Sequence, residues 1–184
     1  DLASGRVTGV EALMRWHHPS MGLISPLQFI PIAEETGLIA GFGQWALQVA
    51  CRDARKWQDR GRRVQVSVNL SARQLDRPQL AQEVAQAIAE AGIEPGQLEL
   101  EITESGVMRN PSQAASRLRE LRDLGVSLAI DDFGTGYSSL SYLRTFPLGT
   151  LKIDRSFVKD LPEDEDAAAL TAGIIGLAHR LRMK

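Results

Sequence analysis

The chain has 184 residues, enough for one sizeable hydrophobic core and too few for two ordinary domains. Its 21 basic and 23 acidic residues give a net charge of -2, which excludes the strongly basic surface with which proteins bind nucleic-acid polymers. The only cysteine, Cys51, excludes an internal disulfide framework and is typical of a reducing compartment. We therefore predict a cytoplasmic domain, whose parent protein could still be tethered to a membrane.

Strand-like and helix-like segments alternate along the sequence. Apolar runs and period-two patterns predict five strands, at residues 7–16, 64–70, 97–104, 127–130 and 150–154. Helical patterns fill the intervals, at residues 25–37, 43–60, 78–91, 110–124 and 138–144, and a last helix begins between residues 163 and 166. This alternation predicts βαβ units and a parallel sheet, so the predicted fold class is α/β.

Acidic and amide side chains recur in the first three strands. Glu11 lies inside the first strand, where it either faces solvent on a sheet edge or points into a polar site. Asn69 ends the second strand, where it either starts a turn or belongs to the same site. The third strand places Glu99, Glu101 and Thr103 on one face, which is ordinary on an exposed edge but indicates ligands inside a barrel.

Two adjacent carboxylates, Asp131 and Asp132, follow the fourth strand. They repel each other unless a cation neutralises them, so the pair is either a solvated turn that caps a helix or part of a cation site. Lys152, inside the fifth strand, is expected to meet an anion or a bound water. Because the carboxyl ends of parallel strands converge at the mouth of a barrel, these positions favour a (β/α)8 TIM-like barrel over a doubly wound sheet.

Five short motifs hold these residues. They are EALMRW at 11–16, VSVNLS at 66–71, ELEITES at 99–105, DDFGTGYSS at 131–139 and LKID at 151–154. In their order and spacing they resemble the EAL domain, the family of cyclic-di-GMP phosphodiesterases, and the resemblance covers residues 1–184.

The resemblance implies a barrel that hydrolyses cyclic di-GMP to linear pGpG with two Mg2+ or Mn2+ ions. It implies that Glu11, Asn69, Glu101 and Asp131 hold one ion, and that Asp131 bridges to a second ion with Asp132 beside it. Oxygen ligands of this kind suit hard divalent cations.

The resemblance also implies roles outside the metal ligands. Lys152 would hydrogen-bond the attacking water, while Leu13 and Arg15 would bind the substrate, Arg15 at a phosphate. Glu104 would anchor the loop at residues 132–139, through which family members also form homodimers.

The family pattern is longer than the present sequence. The resemblance implies one earlier strand, a later strand whose Glu-Gly-Val-Glu-like motif completes the metal and water site, and an eighth strand with a substrate-contacting Gln. We therefore expect an incomplete barrel, lacking at least one strand at the front and two at the back, that is inactive or nearly so alone. The parent protein is expected to carry sensory or GGDEF domains.

Two other functions compete with catalysis. An EAL-like receptor would bind cyclic di-GMP without cleaving it, but such members usually lose metal ligands, and every ligand within range is present here. A purely structural dimerisation or docking module predicts decay of the loop motif, and the intact run at residues 131–139 argues against it. The sequence therefore favours the enzyme.

Overall fold

The sheet confirms the predicted parallel α/β architecture. The computed structural model describes residues 1–136 and 140–184. Its strands there are β1 Gly9–Ala12, β2 Trp16–His18, β3 Gly22–Ile24, β4 Gln65–Asn69, β5 Leu98–Thr103, β6 Ser127–Phe133 and β7 Thr150–Ile153. Five of these strands form one parallel sheet with the spatial order β1-β4-β5-β6-β7, and a separate antiparallel hairpin pairs β2 with β3.

The order of the parallel strands follows the chain without reversal. Each strand lies beside the next parallel strand of the sequence, as in a TIM-like barrel, whereas a doubly wound sheet reverses its order at a switch point. The described residues therefore form an open arc of such a barrel.

Helices connect the parallel strands. They are α1 Pro26–Thr36, α2 Ile39–Asp59, α3 Ala72–Leu75, α4 Leu80–Ala91, α5 Glu104–Met108, α6 Pro111–Asp123, α7 Leu140–Leu143, α8 Arg155–Val158 and α9 Glu165–Arg180, with a 3-10 turn at Pro95–Gln97. The predicted cap of α1 is confirmed, because Ser25 Oγ accepts a hydrogen bond from the Leu27 amide and Gly37 ends the helix with φ 79°.

The core lies between the sheet and these helices. Leu98, Leu100 and Ile102 of β5 are fully buried and belong to one apolar cluster with Val84 of α4 and Leu118 of α6. The alternating residues of β5 carry carboxylates on the opposite face, as the period-two pattern predicts. One face of this strand thus holds the core, and the other supplies the barrel interior.

Three predicted boundaries were wrong for identifiable reasons. The predicted strand at residues 7–16 is only Gly9–Ala12, because the chain leaves the sheet and enters the β2–β3 hairpin. Helix α2 begins at Ile39 rather than Gly43. The glycine is not a helix boundary but an interior residue, required where the helix approaches Gln74, because an added Cβ would lie 1.8 Å from Nε2. Strand β5 ends at Thr103, whose Oγ1 caps α5 by accepting a hydrogen bond from the Gly106 amide.

The fourth strand is longer than predicted and contains the Asp pair. Strand β6 continues through Asp131 and Asp132 to Phe133, and its pairing with β7 is irregular between Ile130 and Phe133. Asp132 has a left-handed φ of 53°, a conformation that Asp tolerates better than most residues. This irregularity allows neighbouring carboxylates to depart from strict alternation across the sheet.

Two further predictions concern α7 and Cys51. Helix α7 covers part of the predicted helix at residues 138–144, and Ser138 and Ser139 lie outside the described residues. Cys51 is fully buried, and burial raises the pKa of its thiol to about 11, which confirms a core residue rather than a nucleophile.

Within residues 1–136 and 140–184, no helix is both long enough and apolar enough to cross a membrane.

Candidate active site

An ammonium group lies at the centre of a carboxylate cluster. Lys152 Nζ of β7 is 2.5 Å from Glu101 Oε2, 3.2 Å from Asp131 Oδ1 and 3.8 Å from Glu11 Oε2. The three carboxylates come from β5, β6 and β1. The prediction that Lys152 meets an anion is therefore confirmed.

Asn69 of β4 completes this set. Its Nδ2 donates a 2.7 Å hydrogen bond to Glu11 Oε1. One polar side chain from each of the five parallel strands therefore reaches the same region, at or near the carboxyl ends of the strands. We call Glu11, Asn69, Glu101, Asp131 and Lys152 the strand-end cluster.

The charges of the cluster depend on one another. Glu101 has only 2% of its side chain exposed, and this burial raises the pKa of its carboxyl despite the opposing effect of Lys152. Burial alone would lower the pKa of Lys152, but the carboxylates of Glu101, Asp131 and Glu11 outweigh burial and raise it. Lys152 therefore remains charged at neutral pH and neutralises part of the surrounding negative charge.

Asp132 lies beside this cluster. Burial, followed by repulsion from Asp131 and Asp154, raises the pKa of the Asp132 carboxyl. Asp154 caps α8, where hydrogen bonds from the Ser156 hydroxyl and amide lower its own pKa. An accumulation of carboxylates of this kind is expected where a cation of higher charge binds.

The turn after the Asp pair is fixed by Glu104. Glu104 Oε2 accepts a 2.8 Å hydrogen bond from the Gly134 amide, and Glu104 is itself buried at the start of α5. Gly134 has φ 99°, and an added Cβ would lie 2.7 Å from Phe157 Cε2. Both the backbone conformation and the close ring therefore require glycine here. Of the loop that Glu104 was expected to anchor, residues 137–139 lie outside the described residues.

A groove adjoins the strand-end cluster. It has a volume of about 670 Å3, and its lining includes Leu13, Arg15, Asn69, Pro26 and Arg109. Leu13 and Arg15 are exposed, and Arg15 Nη1 donates a hydrogen bond to the Met14 carbonyl oxygen. The groove is large enough for a small organic ligand, with a cationic side chain at its edge.

The donor set fits hard divalent cations. The oxygens of Glu11, Asn69, Glu101, Asp131 and Asp132 are the ligand type that Mg2+ and Mn2+ prefer. Within residues 1–136 and 140–184, however, no three acidic, histidine or cysteine side chains already have the spacing needed to hold an ion. Ion binding would thus require the carboxylates to adjust from their contacts with Lys152.

Sequence reasoning missed a second polar layer inside the barrel. Ser67 Oγ donates a 3.2 Å hydrogen bond to Glu99 Oε2, and Thr150 Oγ1 donates a 2.9 Å hydrogen bond to Glu99 Oε1. Ser67 and Asn69 are two residues apart on β4. Their side chains therefore lie on the same face of the strand, which the period-two pattern of the sequence could have predicted. Phe157 was also missed, because nothing in its local sequence distinguishes it from a core aromatic.

The fold and the site together define an α/β chain of the TIM-barrel type, with its polar cluster at the carboxyl ends of parallel strands. Comparison with known families makes this more specific. The model of the EAL domain matches residues 1–184, and the chain belongs to the EAL domain family.

Several relatives have been named for their activity. The chain is 47% identical over 182 residues to the bifunctional diguanylate cyclase/cyclic di-GMP phosphodiesterase MucR of Pseudomonas aeruginosa, covering 98% of this chain and 27% of MucR. It is 47% identical over 184 residues to the cyclic di-GMP phosphodiesterase NbdA of the same organism, covering 100% of this chain and 24% of NbdA. The chain therefore spans about a quarter of the length of these relatives.

A solved structure extends the similarity to three dimensions. The PaMucR phosphodiesterase in complex with c-di-GMP superposes with a TM-score of 0.91 at 47% identity, covering 96% of this chain and 72% of that chain. The open sheet described above thus corresponds to part of an EAL barrel.

Proposed function

We propose that this chain is part of a metal-dependent phosphodiesterase domain that hydrolyses cyclic di-GMP to linear pGpG in bacterial signalling. The observation that carries the proposal is the convergence of one polar side chain from each of five parallel strands on a single region. The names of MucR and NbdA support the substrate, because both are called cyclic di-GMP phosphodiesterases.

The metal ligands are assigned by oxygen chemistry and position. Glu11, Asn69, Glu101 and Asp131 would hold one Mg2+ or Mn2+ ion, and Asp131 and Asp132 would hold the second. Two such ions supply a water of lowered pKa and neutralise charge on a phosphate during in-line displacement.

The remaining roles belong to side chains around these ligands. Lys152 would donate a hydrogen bond to the attacking water from its position beside Glu101 and Asp131.

Arg15 would bind a substrate phosphate at the groove, and Leu13 would pack against the substrate. Glu104 would hold the turn at Gly134 in place, and thereby the Asp pair before it.

The proposal extends to the setting of the domain. We propose a cytoplasmic domain within a longer protein that carries sensory or GGDEF domains, since MucR is itself bifunctional and longer than this chain. The loop after Asp132 would contribute to a homodimer.

We expect the 184-residue chain alone to be inactive or nearly so. Among the described residues the parallel sheet has five strands and remains open, so one side of the site has no further strand to supply ligands. The chain covers 72% of the PaMucR structure. We define the completed domain as this chain joined to the PaMucR residues outside that 72%, and activity should appear in it.

The test incubates the chain and the completed domain separately with cyclic di-GMP and Mn2+ and follows pGpG by chromatography. The expected result is turnover by the completed domain only, lost when Mn2+ is chelated. Binding of cyclic di-GMP without product by the completed domain would support a receptor instead. Turnover by the isolated chain would show that these residues already form a sufficient site.

A further inference from the structure

We infer that Phe157 is a positioning residue for the Asp131–Asp132 pair and that Thr171 ties it to α9. This inference rests on the proposed function for its catalytic meaning, but its structural content can be tested without metal or substrate. It concerns the single turn through which the Asp pair leaves β6.

Two side chains from different parts of the fold lie against Gly134. Glu104 Oε2 accepts the hydrogen bond from the Gly134 amide at 2.8 Å. The Phe157 ring is so close that a Cβ on Gly134 would lie 2.7 Å from Cε2 and 2.8 Å from Cζ. We call the Glu104 carboxylate, Gly134 and the Phe157 ring the Gly134 clamp.

The clamp lies next to the carboxylates that it would position. Gly134 is two residues from Asp132, whose backbone has the left-handed φ of 53°. The irregular pairing between Ile130 and Phe133 leaves this stretch without a continuous ladder of β6–β7 contacts. On the other edge of β6 the regular pairing with β5 ends at Asp131, opposite Thr103, so contacts from outside the sheet supply part of the restraint on Asp132.

Phe157 is itself restrained by the following helix. Thr171 Oγ1 of α9 donates a 3.0 Å hydrogen bond to the Phe157 carbonyl oxygen, and Thr171 is buried with 8% exposure. Phe157 also lies in the first turn of α8, where its amide donates to the Asp154 carbonyl oxygen at 3.1 Å. Contacts thus connect α9 to Phe157 and Phe157 to Gly134. Through these contacts α9 helps to fix the position of Gly134, and Gly134 in turn restrains Asp132.

The first readout is hydrogen exchange of the Gly134 amide in the 184-residue chain, measured by NMR without added metal. Phe157→Ala should increase this exchange by about tenfold, because removal of the ring allows the turn to open away from Glu104. Phe157→Leu should restore part of the protection. Thr171→Val keeps the ring and removes only the hydroxyl, so it should give a smaller increase of about threefold.

The second readout is Mn2+ affinity of the same variants in the completed domain, from the electron paramagnetic resonance signal of free Mn2+. Phe157→Ala should weaken binding by about tenfold, as is typical when a side chain that orients metal ligands is removed. The matched control is Val158→Ala, which alters an exposed side chain on the same short helix and should change neither readout.

The two readouts separate the two claims. Unchanged Gly134 exchange in both Phe157→Ala and Thr171→Val would overturn the clamp. Increased exchange with unchanged Mn2+ affinity would overturn the positioning role and leave Phe157 as a structural residue. If the wild-type completed domain binds no Mn2+ while exchange responds as expected, the clamp stands and the metal-dependent function fails.

Discussion

Asp131→Asn in the completed domain should lower kcat for cyclic di-GMP by about a thousandfold or more, equivalent to about 4 kcal/mol of transition-state stabilisation. The amide preserves the size of the side chain but removes the charge with which Asp131 would bridge two ions. Asp131 lies only 3.2 Å from Lys152, so this position also tolerates little displacement. Initial rates at saturating substrate, measured across a Mn2+ titration, provide the test.

The matched control is Asp123→Asn at the end of α6. The Asp123 side chain is 74% exposed and lies 4.0 Å from Arg122, so the same chemical change should leave kcat within about twofold. If Asp131→Asn also retains a wild-type rate and Mn2+ dependence, Asp131 is not the bridging ligand.

Lys152→Met should have the second largest effect, a loss of about a hundredfold to ten-thousandfold in kcat. The variant removes the hydrogen-bond donor assigned to the attacking water and the positive charge beside Glu101 and Asp131. Lys159→Met is the control, because Lys159 is 56% exposed and lies 3.7 Å from Asp160 on the surface. A normal rate in Lys152→Met would contradict the assigned role.

The same variant has a stability signature in the absence of added metal. Glu101 would remain buried without its cation, which should lower the free energy of unfolding by about 3–5 kcal/mol at neutral pH. The pKa of Glu101 is already raised by burial, so the charged form is the costly one and the folded state loses stability as pH rises through that pKa.

The deficit in Lys152→Met should therefore be largest at neutral pH and shrink in acid, as Glu101 becomes protonated. Mn2+ should also reduce it, because the ion would supply the positive charge that the variant lacks beside Glu101 and would therefore stabilise the folded variant more than the folded wild type. Denaturant unfolding of wild type and variant at neutral and acidic pH, with and without Mn2+, measures both effects. A deficit that grows in acid would contradict the dependence on buried charge.

The site was more predictable from sequence than the path of the backbone around it. Glu11, Asn69, Glu101, Asp131 and Lys152 could be placed together because the carboxyl ends of parallel strands meet, a rule that needs only the strand order. Strand limits were harder, since the end of β5 is decided by Thr103 acting as a helix cap rather than by hydrophobicity.

Tertiary contacts account for what the sequence could not show. The Asp pair lies inside β6 because the irregular pairing with β7 and the φ of Asp132 allow it, and neither leaves a pattern in the local residues. The meeting of Gly134 with Phe157 joins residues from β6 and α8, and no periodicity relates them. The motif residues suggested that Glu104 acts on the loop, but only the structure identified the Gly134 amide as its partner.

The central claim is that carboxylates now gathered around Lys152 form the metal site. Anomalous diffraction from crystals of the completed domain grown with Mn2+ tests it most directly. We expect Mn2+ within ligand distance of Glu11, Glu101 and Asp131, with the Glu101 carboxylate shifted from its 2.5 Å contact with Lys152. Mn2+ bound elsewhere, or no Mn2+ beside Asp131 while Lys152 keeps all three carboxylates, would contradict the account.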